Sequence, residues 1–449
     1  MFLPAATGNG AASNTGPVSG SSSTGGIVGG AGIESKVALT VEVGGSVTTA
    51  GTAGSFVTAP GRQILITASE PVQWTGASTG EVVKRTEIST STTQWISKLA
   101  NTDHAQNGAY TLTVVTADGL SKTLRFVVQP GDARNGDYKV FAVSGARLAM
   151  AVDFDLGSYD MTDLSGTKSS GSLSPPPSPG GSYSVSNPRI TTPVNVSSLR
   201  AFGDTIVGAF PFQVAFSSPV SYAAAPFIAT RAQVSVPADI NGVYNRLRVD
   251  RNATASDSFI SQMRLSGGGT VLTECADNQI FRIDLCPVPS TVVHDVALDA
   301  EPGLWAILDP VSHARTGRFS IARVNGENVY LSAGDTTVNS IPTVIFSIGL
   351  PEVATWTTFN SSGGWSNQSS VDIASATATT SFLSYTDSTG ATSLLRNFTL
   401  GGIVNGPTGM RSAVDGADAY FTIRSSKLEV LAGSRNPATR GYMHLGVIN

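Results

Sequence analysis

The sequence predicts an all-β protein, and three observations indicate this fold class. Residues 107–128 alternate apolar and polar side chains on both sides of an Asp118-Gly119 turn, the strongest short-range signal for a β-hairpin. A second hairpin signal, Asn325-Gly326, lies between two strand-like runs. Charged residues make up only 13% of the 449 residues, and the chain is rich in Gly, Ser and Thr, which favours strands and tight turns over helices.

Residues 1–35 contain little that could form a core. Gly, Ala, Ser, Thr and Asn dominate this segment, which is typical of a flexible arm. One interpretation is a disordered tail. The other is a docking arm that orders along a partner, with Phe2 and Leu3 as apolar anchors at its tip.

Residues 36–130 form the clearest module. Short alternating runs separated by turn residues predict a sandwich of two sheets. With Trp74 in its third strand and Gly108-Ala109-Tyr110 at the start of its sixth, the module resembles bacterial and phage immunoglobulin-like domains that lack the cysteine pair. The resemblance implies that Trp74 and Tyr110 face one core.

The rest of the chain continues to predict strands. Residues 131–189 are interpreted as a connector, because Pro175, Pro176 and Pro177 lie in a stretch rich in Ser and Gly. Residues 190–449 predict a β-rich region of one or two domains, sandwich-like or jelly-roll-like. The best short helix candidate is Ser256–Leu265, with an apolar face, and no fixed repeat period is visible.

The densest acidic group is Asp153 and Asp155 with Asp160 nearby. Carboxylates two residues apart on a strand share a face and could hold a hard cation such as Ca²⁺. The group lacks the spacing of known calcium loops, so a solvated strand end is the favoured interpretation and no metal is expected.

His294, Asp295, Asp309 and His313 lie in one segment with Trp305. Two histidines beside acids could bind zinc or pair a base with an orienting carboxylate, but no HExxH or HxH spacing is present. Ordinary surface positions are the favoured interpretation. Neither a nucleophile elbow nor a phosphate loop nor a dinucleotide fingerprint occurs, so no catalytic residue and no cofactor is expected.

Cys275 and Cys286 are the only cysteines, and they flank an alternating run, Ala276–Leu285, that predicts a strand. A disulfide would stabilise the fold by about 2–3 kcal/mol in the chain-entropy model. Synthesis in a cytoplasm favours two reduced thiols instead. Both states remain open.

Composition also excludes classes of partner. A net charge of −4 offers no basic patch for nucleic acid. The chain has no run of about 18 apolar residues that would insert into a membrane. The first residues show no secretory signal pattern, so synthesis in a host cytoplasm is expected.

An apolar-tipped arm, an immunoglobulin-like module, a Pro/Ser stretch and a large β-rich half together resemble virion structural proteins of tailed bacteriophages. The resemblance implies a non-enzymatic fibre, spike or tail-associated protein. Its expected partners are other virion proteins, copies of itself, and a glycan or protein of the host surface. The alternatives are a capsid decoration protein, then a bacterial adhesin or S-layer component at the cell surface, then a polysaccharide-degrading enzyme.

Overall fold

A computed structural model describes the backbone of most of the chain. The described residues are 37–51, 54–78, 83–101, 107–176, 181–189, 197–338, 340–353, 356–359, 362–367, 370–376, 380–386 and 392–449. They form two compact units that divide after Gln129. The predicted arm, residues 1–35 with Phe2 and Leu3, lies outside the described residues.

The first unit is a sandwich of two β-sheets, as predicted. Its strands are β1 (Leu39–Val43), β2 (Ser46–Val47), β3 (Ser55–Thr58), β4 (Gln63–Ala68), β5 (Val72–Ser78), β6 (Val83–Thr90), β7 (Gln94–Asn101), β8 (Gly108–Thr116) and β9 (Ser121–Val128). In this part of the chain one sheet has the order β2-β1-β4-β7-β6 and the other β3-β9-β8-β5. β3 runs parallel to β9, whereas the hairpin β8–β9 is antiparallel, with Tyr110 opposite Phe126.

The tryptophan at the centre of the sandwich is Trp95, whereas Trp74, which was predicted to be buried in this core, packs against it but is only partly buried. Trp95 is 0% exposed, and its ring packs against Tyr110 at 6.2 Å and Phe126 at 6.4 Å. β5 is the edge strand of its sheet, so Trp74 is only half-buried, and its indole Nε1 donates to the carbonyl of Ser91 at 2.7 Å. Tyr110 is buried in the same core as Trp95.

The second unit consists, within the described residues, of three closed barrels of eight strands each. Barrel 1 contains β10 (Gly136–Ala142), β11 (Arg147–Asp153), β12 (Ser158–Thr162), β13 (Lys168–Ser174), β14 (Tyr183–Ser186), β15 (Ser198–Phe202), β16 (Thr205–Gln213) and β17 (Tyr222–Thr230). Barrel 2 contains β18 (Gly242–Arg251), β19 (Ser256–Ser266), β20 (Val271–Cys275), β21 (Thr291–Leu298), β22 (Trp305–Leu308), β23 (Arg315–Val324), β24 (Glu327–Val338) and β25 (Ile341–Pro351). Barrel 3 contains β26 (Ser362–Ser366), β27 (Ser370–Ala376), β28 (Thr380–Thr386), β29 (Thr392–Gly401), β30 (Met410–Asp415), β31 (Asp418–Arg424), β32 (Leu428–Gly433) and β33 (Met443–Ile448). Short 3-10 helices occupy Pro237–Ile240, Ile283–Leu285 and Val288–Ser290.

The barrels correct the predicted organisation of the second half. In each barrel the strands follow one another in chain order and the last pairs with the first, so the topology is neither a sandwich nor a jelly roll. Residues 131–189 are not a connector, because they supply β10 to β14 of barrel 1. Strands such as β13, of sequence KSSGSLS, are too rich in Ser and Gly to be recognised before their neighbours are known. The helix candidate Ser256–Leu265 is strand β19, which pairs along its length with β18.

The three barrels pack around one shared apolar core. Val207 of barrel 1, Leu331 of barrel 2 and Leu445 of barrel 3 point outward from their barrels into this core and are at most 2% exposed. The contacts follow a cycle: β16 and β17 meet β26 and β33, β31 and β32 meet β18, and β23 and β24 meet β10 and β17. Each junction therefore joins late strands of one barrel to the first strand of another, and the head-to-tail contacts close into a ring.

Each junction of the ring also has polar contacts. Glu301 of barrel 2 accepts from Lys139 Nζ at 2.7 Å and from Arg147 of barrel 1 at 3.0 Å. Trp365 Nε1 of barrel 3 donates to Ser198 Oγ of barrel 1 at 2.8 Å. The amide of Gly441 of barrel 3 donates to Ser258 Oγ of barrel 2 at 2.8 Å. The shared core and these contacts fix the barrels to one another.

Candidate functional site

The hairpin formed by β16 and β17 carries the candidate site. Nine residue pairs join its strands, from Thr205 opposite Thr230 to Gln213 opposite Tyr222. The turn beyond them is closed by the amide of Val214, which donates to the Ser221 carbonyl at 2.8 Å, and by Ser217 Oγ, which donates to the Val214 carbonyl at 2.8 Å. The internal bonds hold the turn in one conformation.

The tip of this hairpin exposes large apolar side chains. Phe216, Val220 and Tyr222 are 44%, 58% and 41% exposed. Phe216 has φ of 62°, a left-handed conformation that is costly for a bulky residue. The guanidinium of Arg189 covers one face of the Tyr222 ring at 4.5 Å. The fold therefore holds a large aromatic residue in solvent at the cost of backbone strain.

A small cavity lies beside the last paired residues of the same hairpin, next to its tip, where all three barrels meet. Its volume is about 50 Å³. Barrel 1 contributes Phe212 and Ala224 from the two hairpin strands, barrel 2 contributes Arg251 from the end of β18, and barrel 3 contributes Asn367, which follows β26. We call this cavity the junction pocket.

Arg251 is the charged group of the junction pocket. It is partly buried, and burial lowers the pKa of its guanidinium, with no charged neighbour contributing to the shift. Among the residues that the structure describes, none forms a hydrogen bond or an ion pair with this side chain. The opposing Asn367 is already engaged, because its Nδ2 donates to the Gly441 carbonyl at 2.8 Å. The positive charge in the pocket is thus uncompensated.

Buried arginines inside the barrels are paired, in contrast to Arg251. In barrel 2, Arg246 bonds to Glu274; burial alone would raise the pKa of this carboxyl, but the attraction of Arg246 and other cations lowers it. In barrel 3, Arg424 lies within 2.7 Å of Glu429, with the Trp356 ring at 4.3 Å from the guanidinium carbon. Burial raises the pKa of Glu429 and lowers that of Arg424.

His444 is a second buried group in barrel 3. It is 0% exposed, and neither ring nitrogen has a hydrogen-bond partner among the described residues. Gly364 and Gly446 leave room for the ring, because a Cβ at either position would come within 2.7 Å and 2.8 Å of it. Burial lowers the pKa of His444 to about 3, so the imidazole is neutral at physiological pH.

In the predicted acidic group, Asp153 and Asp155 accept hydrogen bonds from nearby amide groups. Asp153 Oδ1 accepts from the amide of Leu156 at 2.8 Å. Asp155 Oδ2 accepts from the amide of Asp132 at 2.9 Å and from Asn135 Nδ2 at 2.7 Å. Asp160 is exposed on β12. No group of three His, Cys, Asp or Glu residues in the described part of the chain is arranged to hold a metal ion.

The residues of the predicted histidine segment do not form one site, because the two histidines face different carboxylates. His313 Nδ1 lies 3.4 Å from Asp295 Oδ2 on the surface, whereas His294 faces Glu274 at 3.9 Å. Asp309 accepts from the amides of Val311 and Ser312, and these bonds lower the pKa of its carboxyl. Trp305 is buried in the barrel 2 core, where its Nε1 donates to the Val234 carbonyl at 3.1 Å.

Cys275 and Cys286 form a disulfide, which resolves the alternative left open by the sequence. The residues between them are not the predicted strand, since a 3-10 helix forms at Ile283–Leu285. Within this closed loop the Phe281 ring packs against Phe421 of barrel 3, with ring centroids 5.5 Å apart. The bridge therefore holds a loop that contributes to the contact between barrels 2 and 3.

The junction pocket was not predicted from the sequence. Arg251 is about 27 residues from Ala224 and more than one hundred from Asn367, and only the closure of the ring brings them together. The segment from Phe210 to Phe216, in which aromatic residues alternate with small ones, is a local signal for the hairpin that forms the pocket wall.

Comparisons with family models, with curated proteins and with solved structures find no match. Among the described residues, the structure has no helix long and apolar enough to cross a membrane.

Proposed function

We propose that the chain is a non-enzymatic structural protein of a tailed-bacteriophage virion, of the fibre, spike or tail-associated type, and that the β16–β17 hairpin tip contacts another protein. The observation that carries the proposal is the exposed apolar tip with its strained Phe216. Aromatic side chains that are exposed at the end of a closed turn contribute binding free energy when a partner buries them.

The distribution of charge supports a structural rather than a catalytic role. Glu274 and Glu429, the buried glutamates inside barrels 2 and 3, are each bound to an arginine. Glu301 joins two barrels, and Asp299 is bound by Arg318 at 2.7 Å. A hydrolase needs carboxyls that are free to exchange protons with a substrate. These carboxyls neutralise cations within the fold.

The architecture supports the same proposal. The sandwich and the barrel ring are two compact units on one chain, as expected of a protein whose modules place a contact surface away from its anchor. Low charge, at 13% of residues, suits surfaces that are covered by neighbours in an assembly.

The experiment is gold labelling of the chain in the native assembly, viewed by electron microscopy. Label on the tail or on a fibre supports the proposal. Label on the capsid would instead indicate a decoration protein. Label on bacterial cells would indicate an adhesin or an S-layer component.

A paired variant tests the hairpin itself. Phe216→Ser with Tyr222→Ser should reduce incorporation into particles, or adsorption of particles to host cells, without lowering the melting temperature of the isolated protein. Val311→Ser is the matched control, since Val311 is 88% exposed on a loop of barrel 2. Normal incorporation and adsorption of the double variant would exclude the hairpin as the contact.

The enzyme alternative has its own assay. Release of reducing ends from host polysaccharide that disappears in Asp153→Asn or Asp309→Asn would overturn the non-enzymatic assignment. We expect no such release, because both carboxylates are occupied by backbone amides.

A further inference from the structure

We propose that the junction pocket binds a small oxyanion, a carboxylate or phosphate group, through the guanidinium of Arg251. This inference concerns the pocket alone and does not depend on where the protein works. It goes beyond the contact made by the hairpin tip, which is apolar.

Arg251 has no counter-charge among the described residues. Taking a guanidinium out of water is unfavourable unless an anion or hydrogen-bond acceptors replace the lost hydration. The arginines buried within barrels 2 and 3, Arg246 and Arg424, have a carboxylate. Arg251 has no such partner among the described residues, although burial already lowers the pKa of its guanidinium. None of its nitrogens is among the fully buried polar atoms without a partner, so the guanidinium remains accessible to an anion.

The shape and lining of the pocket suit a small oxyanion. The cavity of about 50 Å³ has room for a group of a few heavy atoms. Ala224 and its neighbours Ala223 and Ala225 are small, so the hairpin wall leaves space in front of the charge. A guanidinium presents parallel N–H donors that match the oxygens of a carboxylate or phosphate. Among the described residues, no carboxylate side chain lines the pocket to repel such a ligand.

Hydrogen bonds hold the walls of the pocket in place. Asn367 is held by the Gly441 carbonyl and, through its own amide, by the Met443 carbonyl at 3.1 Å. The hairpin is paired up to Gln213 and Tyr222. The ring of barrels therefore presents Arg251 in a pocket that needs no rearrangement, which limits the entropy lost on binding.

The test uses the full chain and three probes: inorganic phosphate, acetate and glucuronate. We expect saturable binding of at least one probe in calorimetry, and a melting temperature that rises with its concentration. Phosphate binding alone would indicate a phosphate group as the ligand. Acetate and glucuronate binding would indicate a carboxylate, and tighter binding of glucuronate than of acetate would indicate an acidic sugar.

Two variants remove the site in different ways. Arg251→Gln removes the charge and should weaken binding by about tenfold or more, the usual effect of losing a charge-assisted hydrogen-bonded pair. Ala224→Leu should weaken binding by filling the cavity while leaving Arg251 in place. Arg125→Gln is the matched control, because Arg125 is exposed on β9 of the sandwich, and it should bind as the wild type does.

A second readout separates ligand binding from a structural role. If Arg251 binds an anion, Arg251→Gln should leave the melting temperature in a buffer without phosphate or carboxylates unchanged or raise it, because the substitution removes a partly buried charge that has no counter-charge. A structural arginine would give a lower melting temperature. Absence of saturable binding of all three probes, or equal binding by Arg251→Gln, would overturn the proposal.

Discussion

Replacing Trp95 by Ala should destabilise the sandwich severely. The side chain is 0% exposed, so all of its surface returns to water on unfolding. A large aromatic side chain covers about 150–250 Å², which at about 25 cal/mol per Å² corresponds to about 4–6 kcal/mol. This is an upper bound, because an unfolded chain already buries part of its apolar surface. We therefore expect a cost of about 4 kcal/mol, within the range measured for emptying large aromatic sites.

Trp74→Ala provides the comparison. Trp74 is half-buried at a sheet edge and makes one hydrogen bond, to the Ser91 carbonyl. Its removal should lower the free energy of unfolding by about 1–2 kcal/mol, which is the sum of the contributions from partial burial and from one modest hydrogen bond. The two substitutions change the same residue type within one unit, so the difference between them reports the position of the core.

The assay is urea denaturation of residues 36–129 expressed alone, a fragment whose only tryptophans are Trp74 and Trp95. Circular dichroism follows unfolding in both variants, and fluorescence of Trp74→Ala reports Trp95 alone. The fragment should melt cooperatively, and Trp95 should emit as a buried indole. A larger loss for Trp74→Ala than for Trp95→Ala, or a fragment without a cooperative transition, would refute the placement of the core.

Three further predictions concern other parts of the chain. Glu429→Gln should destabilise the barrel unit by about 3–5 kcal/mol, because Arg424 would remain buried without a counter-charge. Asp284→Asn is the control: Asp284 pairs with Arg264, the two side chains are 49% and 39% exposed, and the substitution should change the melting temperature only slightly. His444 has its pKa lowered from 6.5 to about 3, so below pH 6.5 the unfolded chain takes up a proton that the folded chain does not. Its contribution to stability is complete above pH 6.5 and is lost as the pH falls toward 3, and His444→Gln should flatten the fall in melting temperature between pH 6.5 and 4.5; an unchanged profile would show that the ring is not buried and neutral. Deletion of residues 1–35 should leave the melting temperature nearly unchanged but abolish incorporation into the assembly. Phe2→Ser together with Leu3→Ser should reproduce much of this loss. Normal incorporation of the truncated protein would show that the arm is only a tail.

The sequence predicted the all-β class and the sandwich because both depend on local patterns. Alternation around Asp118-Gly119 and Asn325-Gly326 identified the hairpins β8–β9 and β23–β24. The prediction from sequence failed where neighbouring strands, rather than the local pattern of a segment, determine its structure. Ser256–Leu265 has an apolar face at helical spacing, yet it lies between two strands of barrel 2 that supply its hydrogen bonds.

The barrel repeat and the junction pocket could not be predicted for a related reason. The three barrels share topology but no visible sequence period, since many different side chains satisfy an alternating wall. Arg251 appears in the sequence as one more polar residue at a strand end. Its significance depends on which side chains are absent around it, and only the assembled ring shows this.

The closed ring has a consequence for behaviour at high dilution. Three separate barrel subunits with head-to-tail contacts would dissociate as their concentration falls. Here the chain links barrel 1 to barrel 2 and barrel 2 to barrel 3, so each contact forms at an effective concentration set by short connections rather than by the number of molecules in solution. The single chain also lets the three junctions differ in sequence, and the place where all three barrels meet can carry an arginine that has no counter-charge among the described residues.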